Sequence, residues 1–134
     1  MSNACRCGWL TFLCFSVSVA TVGVATVPVS AKGYRWNCQY EKMATQDGVK
    51  SEQFKMEFAF DDATNKAIMI GNNGFSDVDY HGGSYGVTFL EKLSTGAVQS
   101  TTVTNEGASV HSRHSMLGSK LITSQYYGRC SFKQ

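Results

Sequence analysis

Proline is almost absent from this sequence, the only one being Pro28. Downstream of it there is no proline-rich linker, no run of like charges, no low-complexity block and no internal repeat. A helical period of apolar residues is also missing. An excess of positive charge is missing too, since Lys and Arg number 12 against 10 Asp and Glu. That balance excludes a dedicated nucleic-acid-binding protein, which carries a basic stripe.

The first 31 residues have the features of a secretory signal peptide. Arg6 precedes an uncharged apolar run over Trp9–Val27, Pro28 ends the run, and Val29–Ala31 supplies small residues for cleavage after Ala31. An uncleaved membrane anchor is the alternative, because the run is nearly long enough to span a bilayer. Its content of Ser, Thr, Ala and Gly favours cleavage. We expect a periplasmic or extracellular protein with no membrane contact after cleavage.

Cysteine is scarce once the leader is removed. Of five cysteines, Cys5, Cys7 and Cys14 belong to the leader, which leaves Cys38 and Cys130 near the two ends of segment 32–134. We predict that these two form a disulfide between the first and last strands. A disulfide fits an oxidising compartment.

The rest of the chain alternates between apolar and polar residues with the period of β-strands. The clearest alternation places Phe54, Met56, Phe58 and Phe60 on one face, which we expect to be core. Glycine-containing turns separate the segments, and Asn72–Gly74 is a strong hairpin signal. The pattern predicts eight strands, which begin near Tyr34, Gln53, Lys66, Phe75, Tyr85, Ala97, Ala108 and Ile122.

Eight short strands joined by tight turns are enough to close a small antiparallel up-and-down barrel. Closure would make the first and last strands neighbours, as the predicted disulfide requires. We therefore expect segment 32–134 to form a single all-β barrel domain. An open meander or a two-sheet sandwich is the alternative, with the disulfide joining the sheets.

Four short motifs resemble those of small secreted bacterial proteins that have no assigned function. The motifs are Val87–Glu91, Thr95–Gln99, Val110–His114 and Ser124–Gly128, the last followed by Cys130. The architecture is also similar to that of lipocalin-like barrels. Gly33 and Trp36 are one residue further apart than in that pattern, and Arg129 alternates away from Cys130. The likeness to lipocalins is therefore architectural, and the ligand binding that it implies is an analogy.

One segment carries three potential metal ligands at strand spacing. Asp77, Asp79 and His81 would share one face, about 7 Å apart at each step. Two carboxylates and an imidazole could hold a divalent metal such as Zn²⁺ or Mn²⁺. The alternative, which we favour, is an exposed charged face that discourages edge pairing. No cofactor is therefore expected.

The sixth and seventh strands are polar on both faces, which makes them the second candidate site. If Val98, Val110 and Met116 point inward, hydroxyls and one imidazole line the interior. Such a wall would bind a ligand or satisfy its own hydrogen bonds. The outer face would then present His111 and Arg113 to a protein partner. The predicted ligand-binding wall consists of Ser100, Thr102, Ser112 and His114.

These features favour a secreted or periplasmic, non-enzymatic barrel that binds a small amphipathic molecule or a protein partner. A small metal-dependent or hydrolytic enzyme is the alternative. A hydrolase needs a nucleophile, a base and an orienting acid in contact. Ser112, His114 and Asp79 are available for those roles, although no sequence motif brings them together.

Overall fold

The computed structural model describes residues 33–134. The predicted signal peptide over residues 1–31 lies outside the described residues and stays a prediction. All the candidate site residues and both paired cysteines lie inside the described range. Within that range, no helix is long and apolar enough to cross a membrane.

Eight antiparallel strands form one closed barrel, in which each strand pairs with the next along the chain. The last strand, β8, also pairs with the first strand, β1, so the sheet has no free edge. The predicted up-and-down barrel is therefore confirmed over the open meander and the sandwich. The strands are β1 Gly33–Thr45, β2 Gly48–Asp61, β3 Lys66–Gly71, β4 Gly74–Gly83, β5 Gly86–Lys92, β6 Val98–Thr104, β7 Ala108–Leu117 and β8 Lys120–Lys133.

The barrel has two different ends. The upper end carries the β1–β2, β3–β4, β5–β6 and β7–β8 loops, and the lower end carries the other three loops together with the start of β1 and the end of β8. At the upper end Asn72 and Asn73 form the tight turn that the sequence predicts. Gly74 follows with a φ of 110°, a conformation that glycine adopts without a steric penalty.

A disulfide joins Cys38 of β1 to Cys130 of β8, as predicted. The two residues are direct partners across the β1–β8 ladder. Both are buried. The bond therefore lies on the interior face and fastens the seam at which the barrel closes.

The same seam contains an irregularity that brings two strands close together. The register of β1 shifts between Tyr40 and Lys42 against both of its neighbours. Gly128 of β8 faces this point, and a Cβ atom there would lie 2.0 Å from the backbone oxygen of Gln39. No side chain fits at that distance, so glycine is what allows β8 to follow β1.

Aromatic rings fill the lower and middle parts of the interior. Phe58 and Phe89 stack with their ring centroids 4.2 Å apart, and Phe60 and Tyr80 stack at 4.0 Å. Trp36 meets Phe89 edge-on at 5.2 Å. The predicted core face of β2 is confirmed, because Met56 and Phe58 are buried and Phe54 and Phe60 pack against the core. Above them, Phe54 stacks on Tyr40 with ring centroids 4.7 Å apart and meets Tyr126 edge-on at 4.6 Å.

Candidate functional site

In strands β6 and β7, the face that was predicted to point outward points into the barrel. Thr101 and His111 are among the most deeply buried residues of the chain. Alternation along each strand places their neighbours at i±2 on the same interior face. The inward-facing residues of the two strands are Gln99, Thr101, Val103, Ser109, His111 and Arg113.

The prediction of a ligand-binding wall inside the barrel was therefore wrong in its orientation. The hydroxyls of the wall make contacts on the outer surface instead: Thr102 Oγ1 lies 3.0 Å from Thr88 Oγ1, and the amide of Gln125 lies 3.5 Å from Ser112 Oγ. The outward-facing residues are Ser100, Thr102, Ser112 and His114.

The expectation that His111 and Arg113 face outward was wrong for the same reason. His111 is 1% exposed. Arg113 continues the same face of β7 and is partly buried. Neither residue offers its side chain to a protein partner on the outer wall of the barrel.

The error has a physical cause. The prediction took the apolar residues of the two strands as the inward ones, but Val98 is 38% exposed and Met116 is 50% exposed. Bulky rings from β1, β2 and β5 already fill much of the interior. The facing positions of β6 and β7 therefore hold polar side chains, of which Thr101 bonds to His111 and Ser109 to Tyr40, and Val103 is the apolar exception.

A signal for the correct orientation was present in the sequence. The two-residue turn of β7–β8 pairs Leu117 with Lys120, and the ladder then pairs His111 with Tyr126. Tyr126 lies on the same face of β8 as Cys130, which the disulfide places in the interior. The disulfide and the turn length together predict that His111 faces inward, because a shift of one residue would reverse the whole strand.

The three potential metal ligands of β4 lie together on the outer face, as expected. Asp79 forms an ion pair with Lys92, whose Nζ lies 2.6 Å from its carboxylate. This hydrogen bond and the charge of Lys92 lower the pKa of Asp79. In the part of the chain that the structure describes, no group of three His, Cys, Asp or Glu side chains could hold a metal ion. Asp77, Asp79 and His81 remain a metal site by prediction only.

The three residues considered for a hydrolase do not meet. Ser112 and His114 follow one another on the outer face of β7, whereas Asp79 lies on β4. Two whole strands separate β4 from β7, so the backbones are roughly 14 Å apart at strand spacing. No catalytic contact between this acid and this base is possible.

A cavity of about 400 Å³ opens at the upper end of the barrel. Its volume lies within the range of small-molecule sites. The apolar residues of its lining include Phe54, Met56 and Met69. The polar residues are interleaved with them, since Ser76 is the cross-strand partner of Met69 and the ring of His111 lies 5.8 Å from that of Phe54. The polar lining residues are Lys55, Asn72, Asn73, Ser76, Glu91, Gln99, His111 and Arg113.

His111 is the most deeply buried polar side chain of this cavity. Its Nδ1 lies 2.7 Å from the hydroxyl of Thr101. Its Nε2 is buried and has no hydrogen-bond partner within residues 33–134. Beside it, Tyr40 shares a hydrogen bond of 3.0 Å with Ser109, and burial raises the pKa of Tyr40. The polar interior is therefore satisfied around Tyr40 but leaves one free atom on His111.

Burial away from water and, secondarily, the positive charge of Arg113 lower the pKa of His111 to about 4. The imidazole is therefore neutral at pH 7. A neutral imidazole has one donor and one acceptor nitrogen, and Nδ1 is already engaged. Nε2 is thus the ring nitrogen without a partner, and because it has almost no surface accessible to water, a bound molecule reaches it only if a neighbouring side chain moves.

This lowered pKa predicts a loss of stability in acid. Between pH 6.5 and 4 the unfolded chain binds a proton at this histidine and the folded protein does not, so the free energy of unfolding falls as the pH falls. The expected loss from His111 is roughly 3 kcal/mol, all of it below about pH 7. It is measured as the difference in pH dependence between the parent protein and His111→Gln in urea unfolding.

The control for that measurement is His114→Gln, which replaces an exposed histidine of the same strand. It should keep the full acid sensitivity of the parent. The burial of His111 would be contradicted if His111→Gln lost as much stability as the parent between pH 7 and 4.

Three charged or amide side chains form a row in the lining of the cavity. Glu91 of β5 faces Gln99 of β6, and Gln99 faces Arg113 of β7. Glu91 accepts a hydrogen bond of 2.6 Å from the hydroxyl of Ser76. The Nε of Arg113 is buried and lacks a hydrogen-bond partner in the described chain. The row therefore presents an acid, an amide and a base to the same space.

Comparison of the chain with known protein families, with curated proteins and with solved structures finds no match. The resemblance to small secreted bacterial proteins stays a prediction. The geometry of the upper cavity is therefore the basis for the proposed function.

Proposed function

We propose that this protein binds a small amphipathic molecule in the upper cavity and that it acts without catalysing a reaction. The observation that carries the proposal is the mixed apolar and polar lining of that cavity. Phe54, Met56 and Met69 offer apolar contact, and the same space is lined by polar groups, two of which have buried atoms without partners. Sites for small molecules combine an apolar lining with a few convergent polar groups in this way.

The unpaired polar atoms are what favours a ligand over an empty space. A buried polar atom without a hydrogen bond costs about 1–3 kcal/mol. His111 Nε2 and Arg113 Nε both have this character and both belong to cavity-lining residues. A ligand with hydrogen-bonding groups recovers that free energy once the side chains that cover these atoms move, while its apolar part packs against the apolar lining residues.

The proposed place of action is the periplasm or the medium. The Cys38–Cys130 disulfide is consistent with an oxidising compartment. The predicted signal peptide supports export, and the balanced charge supports a small-molecule role over nucleic-acid binding.

A protein partner is the second candidate, favoured by exposed apolar side chains at the tip of the β7–β8 hairpin. Met116, Leu117 and Leu121 are 50%, 72% and 55% exposed, and Val49 of the β1–β2 hairpin is 70% exposed. Clustered exposed apolar residues mark contact surfaces. This surface is separate from the interior lining, so the two candidates can be tested together.

Native mass spectrometry of the protein purified from its own source tests both candidates. We expect one small molecule retained per chain, and we expect its loss in Ser76→Trp, which fills part of the cavity. The matched control is Ser112→Trp, an outward-facing serine on β7, which should retain the molecule. No retained molecule, or equal retention by Ser76→Trp, contradicts the cavity proposal. A retained protein chain would favour the second candidate.

A further inference from the structure

Glu91 and Arg113 are opposite charges of the cavity lining that do not neutralise each other, and the exposed Lys55 is a third charged lining residue. Glu91 and Gln99 are each 9% exposed, and Arg113 is partly buried. No ion pair joins Glu91 to Arg113 in the described range 33–134, because Gln99 stands between them in the row. Buried charges are normally paired, since desolvation of an isolated charge is costly. Glu91 and Arg113 are separated by strand β6, which carries Gln99 between them.

The base end of the row places two nitrogen-containing side chains on one face of β7. His111 and Arg113 lie two residues apart on the inner face of β7, about 7 Å along the strand. Each has a buried nitrogen without a hydrogen-bond partner in the part of the chain described. Arg is the side chain best suited to bind a carboxylate, because its guanidinium offers several donors in one plane.

The acid end of the row suits an amine. One oxygen of Glu91 accepts the hydrogen bond from Ser76, which fixes the carboxylate toward the cavity. No cationic side chain of residues 33–134 forms an ion pair with it. An ammonium group of a bound molecule would supply the missing positive charge.

We propose that the ligand of the upper cavity is a small zwitterion with an apolar side group, of the kind of an amino acid with a large apolar side chain. Its acid group binds Arg113 and His111, its amine binds Glu91, and its apolar group lies against Phe54, Met56 and Met69. The inference rests on the proposed function and adds the chemical class of the ligand. It follows from the acid–amide–base row, in which one zwitterion neutralises both ends.

Three probes that share the phenylethyl framework and differ in their charged groups test this inference on the parent protein. They are phenylalanine, which is a zwitterion, 3-phenylpropionate, which lacks the amine, and phenethylamine, which lacks the acid. Titration calorimetry at pH 7 should give phenylalanine an affinity at least about tenfold higher than either singly charged probe, because only the zwitterion makes both charge contacts. This comparison needs no substitution, so it does not depend on how a variant folds.

Two variants then identify which side chain binds the acid group of the ligand and which binds its amine. Arg113→Gln should reduce the affinity for phenylalanine to about that of phenethylamine, and Glu91→Gln should reduce it to about that of 3-phenylpropionate. The matched controls are Arg35→Gln and Glu57→Gln, which remove the partners of an ion pair on the outer face of β1 and β2. They should leave all three affinities unchanged.

The outcomes separate the inference from the function on which it rests. Equal affinity for the three probes, or a singly charged probe that binds as tightly as phenylalanine, overturns the zwitterion and leaves the amphipathic-ligand function standing. Absence of binding by all three also overturns the zwitterion, whereas the function itself is overturned only if native mass spectrometry finds no retained small molecule. Unchanged phenylalanine affinity in Arg113→Gln and Glu91→Gln also overturns the zwitterion, because the ligand would then lie elsewhere.

Discussion

Replacement of Cys38 and Cys130 together by alanine should lower the free energy of unfolding by about 4–5 kcal/mol. The disulfide spans a sequence separation of 92 residues, so it restrains almost the entire barrel in the unfolded chain. It also joins β1 to β8, the one pair of strands that no hairpin loop connects. The change is measured as a shift in the midpoint of guanidinium unfolding.

Reduction of the parent protein provides the control. Dithiothreitol should shift the parent to the midpoint of the double variant and should leave the double variant where it is. A loss below 1 kcal/mol would mean that the β1–β8 ladder closes the barrel without help from the bond. The covalent seam would then have no stabilising role.

Phe58→Ala should lower the free energy of unfolding by about 3–5 kcal/mol, the range for loss of a buried aromatic ring. Phe58 is 1% exposed, and its ring stacks on Phe89 with centroids 4.2 Å apart. The neighbouring rings are closely packed and do not move to fill the space that the substitution leaves. The free-energy cost of that empty space therefore adds to the cost of the lost apolar burial. Chemical denaturation at pH 7 measures the effect.

Phe75→Ala is the matched control, because Phe75 is 78% exposed at the upper end. That substitution should change the free energy of unfolding by no more than about 0.5 kcal/mol. A loss below 1 kcal/mol for Phe58→Ala would mean that the inward face of β2 is wrongly assigned.

The closed barrel was predictable because three independent features of the sequence agree. The alternation in β2 places Phe58 and its neighbours inside, glycine turns separate the strands, and two cysteines lie near the ends of the chain. Cys38 and Cys130 are direct partners in the structure. Each feature is local or covalent, so each can be recognised without knowing how distant strands pack.

The upper end of the β1–β2 hairpin was less predictable. β2 begins at Gly48, directly after a short turn from β1, whereas the sequence predicted that the second strand begins near Gln53. The start of β2 is exposed on both faces. Without a buried face there is no alternation to detect, and pairing with β1 alone holds this segment in the sheet.

The candidate site was not predictable from hydrophobic alternation, because its interior face is the polar one. Gln99, Thr101 and His111 are buried, while Val98 and Met116 lie outside. Polar residues can occupy an interior position when they bond to one another, as Thr101 and His111 do. Such pairing depends on neighbouring strands, so it appears only when the register of the whole barrel is known.

The central claim is that β7 turns His111 and Arg113 into the barrel, where they line the upper cavity. The most direct test is an NMR titration of the His111 imidazole between pH 8 and 3.5, with its signal assigned as the one missing from His111→Gln. Because burial and Arg113 lower the pKa of His111 to about 4, the signal should stay unchanged down to about pH 5 and then move with a midpoint near 4. A midpoint near 6.5, the ordinary value for an exposed histidine, would place this side chain on the outer surface and contradict the claim.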